Sequence, residues 1–269
     1  MSFKRYTKTF YNRAMGNHAL VTGGSSGIGL AYARYLDDLG WTLDLAAQSE
    51  GRLVDAVGSL RGKAGMHSLD LASPDGVVEL TETVQVPDLL IANAGITRTG
   101  SVGALSQIES AQLQYLLCGG VIDLVQWAAP VMKSRGQGRI IIISSIAAET
   151  PMPNSAIYAS AKTGVTAFGR SIHEELKPYG VSVTTSLPGY VRTNIHERAG
   201  LSHLSQQVPN WMWLDPDQVV KDTELASLAG RATIIPGIVY RMTRPFLGSK
   251  AANAAWRALT KRRRNPKGR

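Results

Sequence analysis

The stretch "TGGSSGIG", Thr22 to Gly29, decides the fold. It follows the apolar run "HALV" (His18–Val21) and leads into "LAYARYLDDLG", whose apolar residues recur at helical spacing and which stops at Gly40. That order predicts a strand, a glycine turn and a helix. Glycines at positions 23, 27 and 29 permit a tight turn and let the backbone approach an anion closely. They also leave free N–H groups and the positive end of a helix facing that anion. A dinucleotide suits such a turn, whereas the absence of Gly-Lys-Ser/Thr argues against a nucleoside-triphosphate loop.

The alternation continues outward from this unit. "WTLDLAA" precedes "EGRLVDAVGSLRG", "MHSLDL" precedes "SPDGVVELTETV", and "PDLLIANAG" precedes the long helical stretch that begins at Ser106. Ser73 is placed to cap its helix ahead of Pro74. "GRIIIISS", "AIYASAKTGVTAFGRSIHEELKPYG" and "VSVTTSLPG" extend the series, and the unbroken run Ile140–Ile143 suits a strand covered on both faces. The prediction is an α/β fold: one Rossmann-like, doubly wound parallel sheet with helices on both faces. Ligands of such sheets bind beyond the carboxyl ends of the strands, where this chain carries "TGGSSGIG", "SLDL", "ANAG", "ISS" and "SLPG".

The 269 residues divide into a basic N-terminal extension (1–17), a dinucleotide-binding catalytic domain (18–240) that includes a substrate lid at 194–230, and a basic C-terminal helical extension (241–269). The net charge of +9 is uneven, since residues 1–18 carry four Lys/Arg and residues 241–269 carry ten, with no acid in either segment. The body between them is mildly acidic. The tail "TKRRRNPKGR" is read either as a solvated end or as a contact for an anionic membrane or polymer. No nucleic-acid reading motif accompanies the charge, so nucleic-acid binding is disfavoured. The single Cys118 excludes an internal disulfide, and the scattered histidines offer no metal-ligand spacing, so no metal is expected. Neither a secretory leader nor an apolar run of about 18 residues is recognisable, which points to the cytoplasm, with peripheral membrane contact left open.

The glycine turn, Asp70, Asn93–Gly95, Ser145 with Tyr158 and Lys162, and the segment Pro188–Thr193 occur in an order and at separations that resemble the short-chain dehydrogenase/reductase superfamily. The resemblance runs from about His18 to Thr193. It implies a site for NAD(H) or NADP(H). Gly23, Ser25, Ser26, Gly27, Ile28 and Gly29 would lie at the diphosphate, and Gln48 at the end of the second strand. Asp70 and Leu71 would lie near the adenine, with Asn93, Ala94 and Gly95 lining the nucleotide. Pro188, Gly189, Val191 and Thr193 would lie around the nicotinamide. The second strand ends in Ala47, Gln48 and Ser49, with no acid to repel a 2′-phosphate, and Ser49 or Arg52 is available to contact one. The reading therefore favours NADP(H), with NAD(H) the alternative.

Tyr158 and Lys162 stand four residues apart on one helix face. A nearby ammonium and the positive nicotinamide ring are expected to pull the phenol below its usual value near 10 and make it a usable general acid or base. In the family pattern the tyrosine exchanges a proton with the substrate oxygen, the lysine also holds the nicotinamide ribose, and Ser145 bonds the carbonyl oxygen. Ser144 is the alternative if the register is off by one. The family usually has an asparagine in the preceding helix, where it supports a water linking the lysine to solvent; here Leu117 or, with a slip, Cys118 stands instead. Either another group carries the proton path, or turnover is slow, or the protein has left catalysis.

Trp211 and Trp213 are read as an apolar lid or as core packing, with Asp215 capping a helix that begins at Pro216. The lid reading implies a small hydrophobic carbonyl or alcohol substrate, bound by Ser145, Tyr158 and the two tryptophans. The tail after "RATIIPG", the last expected strand, resembles the extended carboxyl ends of reductases acting on lipid substrates. Helices from Gln107 and Ile157 commonly form subunit contacts in this family, which implies a homodimer or homotetramer. An NADPH-dependent carbonyl reductase is the favoured function; a dinucleotide-binding regulator or scaffold without turnover is the alternative.

Overall fold

A computed structural model describes residues 17–193 and 208–243. The N-terminal extension up to residue 16, the first part of the expected lid (194–207) and the tail from residue 244 lie outside the described residues. The sheet contains β1 (His18–Thr22), β2 (Thr42–Ala47), β3 (Ala64–Ser68), β4 (Leu89–Ala92), β5 (Gly138–Ile143), β6 (Val181–Ser186) and β7 (Thr233–Ile234). All pairings are parallel, in the order β3-β2-β1-β4-β5-β6-β7. The order reverses between β1 and β4, and the crevice beyond their carboxyl ends is where a doubly wound sheet takes its ligand.

The helices are α1 (Gly27–Asp37), α2 (Glu50–Gly58), α3 (Pro74–Thr83), α4 (Gln107–Gln114), α5 (Gly120–Arg135), α6 (Ala156–Leu176), α7 (Pro216–Leu228) and α8 (Ile238–Thr243). β5 shows why both faces of the sheet are covered. Ile140 and Ile142 enter the core built with α3, α5 and α6, whereas Ile141 and Ile143 enter the one built with α1, α2 and α7. Burying each such side chain contributes about 1.5–3 kcal/mol.

Three boundaries differ from expectation. β3 ends at Ser68, earlier than "MHSLDL" implied: the Leu69 N–H still donates to the Ala47 carbonyl of β2 at 3.2 Å, but the chain then turns, the Asp70 carboxylate accepting from the Ala72 N–H at 3.0 Å. The segment 194–230 is not wholly a lid, since α7 buries Val219 and Val220 and packs on α1. Residue 241 falls inside α8, so the C-terminal extension does not begin there.

The long helix is also interrupted by a wide π turn at Tyr115–Gly119. The Tyr115 ring lies against Gly119 and Gly120, so close that a Cβ on Gly119 would sit 2.8 Å from it, and its hydroxyl donates to Asp123 at 2.6 Å. Such turns cluster at functional sites. This one faces α6.

One buried ion pair ties α7 beneath the sheet. Arg139 of β5 is 4% exposed and Glu224 is fully buried, with both carboxylate oxygens 3.1 Å from Nη2 and Ser227 Oγ at 2.9 Å. Removing one partner strands the other charge. Arg139→Met should lower the unfolding free energy in urea by about 3–5 kcal/mol, and adding Glu224→Leu should recover most of it. A double variant as unstable as the single one would contradict this account.

Candidate active site

The glycine turn closes on itself between β1 and α1. Gly23 and Gly27 have φ of +66° and +56°, the left-handed region that favours glycine, and a Cβ on Gly29 would lie 2.3 Å from the Gly23 carbonyl oxygen. Asn93 locks this turn to β4, donating from Nδ2 to the Thr22 carbonyl at 2.9 Å and to the Gly23 carbonyl at 3.3 Å. Thr22 Oγ1 accepts from the backbone N–H of both Asn93 and Ala94 at 3.0 Å. Asn93 thus shapes the turn rather than pointing away from it. The first turn of α1 carries no acidic side chain, so its positive end is uncompensated. These features fit the diphosphate of a dinucleotide.

The other expected cofactor residues gather at the same edge in different roles. Gln48 is exposed at the end of β2, and Asp70 is exposed beyond β3, whereas Leu71 turns into the core. Thr193 packs on Gly27, its Cγ2 lying 2.9 Å from where a Cβ would be. Pro188 accepts the Ile146 N–H at 2.9 Å, and Val191 bridges to Leu214.

Tyr240 of α8 went unforeseen. Its ring occupies the space a side chain at Gly189 would need, and its hydroxyl accepts from the Tyr190 N–H at 3.0 Å while donating to the Met212 carbonyl at 2.6 Å. It thereby holds the segment after β6. Nothing in the pattern around a tyrosine past the last strand signals this.

Ser145, Tyr158 and Lys162 meet where β5 ends against α6. Ser145 stands beside the Tyr158 phenol, where its hydroxyl favours the ionised form, and Ser145 Oγ accepts the Ala147 N–H at 3.1 Å. Ser144 does not share this position, because its hydroxyl turns into α6 and donates to the Lys162 carbonyl at 3.0 Å. Lys162 is 5% exposed, and its Nζ donates to the Ile143 carbonyl at 2.8 Å. Burial depresses this ammonium to about 8, an effect partly opposed by the nearby Cys118 thiol.

The expected acidification of the phenol is not a property of the chain itself. Burial raises Tyr158 above its ordinary value of 10.0, and the bond with Ser145 pulls it part of the way back. The Lys162 ammonium is directed to a strand-end carbonyl rather than to the phenol. At neutral pH Tyr158 therefore holds its proton.

Leu117 occupies the position where the asparagine was expected. It is 1% exposed and clusters with Leu113 and Ala161, with Ile157 and Tyr158 packed against them. Neither Leu117 nor Cys118, whose thiol burial raises, offers a strong hydrogen-bonding group in its place.

The tryptophans separate. Trp211 is 65% exposed, whereas Trp213 meets the Tyr190 ring at a tilted angle with centroids 5.5 Å apart, lies under the Arg192 guanidinium at 5.9 Å and donates from Nε1 to the Val208 carbonyl at 3.2 Å. Of the two, Trp213 is the packed one.

With this geometry established, comparison with known proteins is specific. The profile of the short chain dehydrogenase family matches residues 17–202. The acetoacetyl-CoA reductase of Paracoccus denitrificans is 28% identical over 217 residues, 77% of this chain and 88% of the relative. A 3-oxoacyl-acyl-carrier-protein reductase of Synechocystis is 28% identical over 232 residues, 83% of this chain and 94% of the relative. Among solved structures, a short-chain dehydrogenase from Sphingobium yanoikuyae in complex with NADPH superposes with a TM-score of 0.77 at 25% identity, covering 94% of this chain and 98% of the other. A 3-oxoacyl-acyl-carrier-protein reductase from Agrobacterium tumefaciens with NADP bound gives 0.72 at 25% identity, covering 82% and 93%.

The depressed ammonium has a measurable consequence. Between about 8 and the ordinary 10.5 the unfolded chain holds the Lys162 proton and the folded chain does not, so this group makes stability rise with pH across that window. Lys162→Met should remove its share of the rise in urea unfolding measured across the same window. An unchanged slope would show that Lys162 is not buried as described.

Proposed function

We propose that this chain, which belongs to the short chain dehydrogenase family, uses NADPH to reduce the carbonyl of a small ketone with an apolar body, the alcohol oxidation being the same site run backwards. The observation that carries this reading is the hydroxyl pair Ser145–Tyr158, with a phenol that keeps its proton at neutral pH. A proton held beside a second hydroxyl is what a carbonyl oxygen needs as it gains negative charge.

Each residue then has a part. When bound, the reduced nicotinamide supplies the hydride. The glycine turn and the first turn of α1 receive the diphosphate, and Lys162 orients the ribose. Ser145 donates to the carbonyl oxygen and fixes its position, and Tyr158 delivers the proton from its hydroxyl oxygen. NADPH is favoured by the end of β2, where Ala47, Gln48 and Ser49 present no carboxylate to a 2′-phosphate. The NADPH and NADP bound in the Sphingobium and Agrobacterium proteins support the same choice.

The names of the relatives point instead to 3-oxoacyl thioesters, which share the ketone but carry it on coenzyme A or acyl carrier protein, so both kinds of ketone belong in the test. Exposed Trp211 is the surface for an apolar body. Pairing of copies through the α4–α5 stretch and α6 belongs to the same reading. A second reading, a dinucleotide-binding protein without turnover, is favoured by Leu117, which fills with hydrocarbon the place of a polar group.

Two measurements decide. With NADPH and a panel of 3-oxoacyl thioesters and hydrophobic ketones, Tyr158→Phe should lower kcat by about 10²–10⁴-fold while leaving NADPH affinity near wild type. Tight NADPH binding with no turnover of any ketone by the wild type would overturn the reductase in favour of the second reading. Trp211→Ala should raise KM about 10-fold for long-chain ketones, the loss of a large apolar contact, and change kcat little; an unchanged KM would remove Trp211 from the substrate surface.

A further inference from the structure

Ser144 and Thr166 are buried hydroxyls that the chemistry above leaves unused. They are 3% and 2% exposed, with their oxygens 2.7 Å apart. Both also reach the Lys162 carbonyl, Ser144 at 3.0 Å and Thr166 at 2.7 Å, and with one proton each the two hydroxyls divide their donation between that carbonyl and one another. The same lysine sends its ammonium to the carbonyl of Ile143, the residue before Ser144. Two consecutive residues at the end of β5 thus grip Lys162 at its head and at its root. The next residue, Ser145, meets Tyr158 one turn earlier on α6.

We infer that Ser144 and Thr166 are positioning residues, whose hydroxyl pair fixes the register of α6 on the end of β5 and so holds Lys162 and Tyr158 in line with Ser145. The inference rests on the reading of Lys162 and Tyr158 as the catalytic pair. Residues 143, 144 and 145 address Lys162 Nζ, the Lys162 carbonyl and the Tyr158 hydroxyl in turn, so a slip of one residue breaks all three contacts together. An α-helix does not require the two hydroxyls, because the backbone N–H four residues on already serves such a carbonyl. A threonine bonded back to residue i−4 is slightly unfavourable for the helix itself. Its benefit lies across the boundary, where Thr166 presents its oxygen to Ser144 of the strand. Since each hydroxyl is buried, losing either leaves the other only the Lys162 carbonyl and removes the side-chain contact between the end of β5 and α6.

The test is a set of three variants: Thr166→Val, which keeps the shape and removes the hydroxyl, Thr166→Ser, which keeps the hydroxyl, and Ser144→Ala. The first readout needs no turnover. The Lys162 ammonium is titrated by NMR on lysine-labelled chain, with Lys162→Met identifying its signal. The wild type should titrate near 8, Thr166→Val and Ser144→Ala should move upward toward 10.5 as the loosened ammonium gains water, and Thr166→Ser should stay with the wild type. The ionisable neighbours, the Cys118 thiol and the Tyr158 phenol, are unchanged in every variant. The second readout is ketone reduction, where Thr166→Val should lose about 10- to 100-fold in kcat with KM little altered. A Thr166→Val chain that melts earlier yet keeps the wild-type titration and kcat would reduce the pair to ordinary packing and overturn the inference. Should Thr166→Val fail to fold, Ser144→Ala, which removes only one small group, decides by the same readouts. If the wild type reduces no ketone, the reductase reading fails by itself, and the lysine titration still judges the positioning pair.

Discussion

Lys162 lies at 5% exposure with its ammonium 2.8 Å from the Ile143 carbonyl, and the rest of the site is arranged around that contact. A buried ammonium costs several kcal/mol unless strong acceptors replace its water. The carbonyl at the end of a strand is such an acceptor, because β5 stops there and the ladder no longer uses it. The contact requires β5 to be rigid, which follows from its isoleucines alternating into both cores. It also requires α6 to hold its depth against the sheet, which Val165, Ile172 and Leu176 secure by burial. Packing remote from the chemistry is thereby converted into the position of one charge.

That arrangement changes how the phenol works. Two cations-and-phenol schemes can be imagined on an i, i+4 pair, one in which the ammonium touches the hydroxyl and one in which it is held elsewhere. The structure has the second, with the Lys162 ammonium on the Ile143 carbonyl and Ser145 the side chain that moderates the phenol. The phenol stays protonated and suits the donor role in reduction. The π turn contributes by pressing Leu117 into the cluster beside Tyr158, which strengthens the desolvation that keeps the proton in place. Leu117 is thus a packing residue in a place where the family pattern led one to expect a polar group.

Much of the architecture was legible because it obeys local rules. The Ile140–Ile143 run reads as a doubly covered strand, Ser73 ahead of Pro74 as a cap, and glycines 23, 27 and 29 as a turn that side chains would block. The coincidence of Ser145, Tyr158 and Lys162 was legible from i, i+4 spacing and the family pattern together. What escaped depends on the third dimension. Periodicity could not tell that the chain turns at Asp70 and cuts β3 short, nor that Tyr240 fills the space above Gly189. The choice between Ser144 and Ser145 turned on which way two adjacent hydroxyls point. Spacing did place Thr166 four residues after Lys162, but only the approach of Ser144 gives that spacing a meaning. The ammonium's share of the expected Tyr158 shift is not made in the chain alone, because a strand-end carbonyl takes that charge; the share of the nicotinamide ring belongs to the bound cofactor.

In the chain without cofactor, burial moderated by Ser145 keeps the Tyr158 proton in place. Titration of tyrosine labelled with ¹³C at Cζ, with Tyr158→Phe to identify the signal, measures this directly. The midpoint should lie above the ordinary 10.0 and move higher still in Ser145→Ala. A midpoint below 10.0, or one indifferent to Ser145, would show that the ammonium and not desolvation governs the phenol.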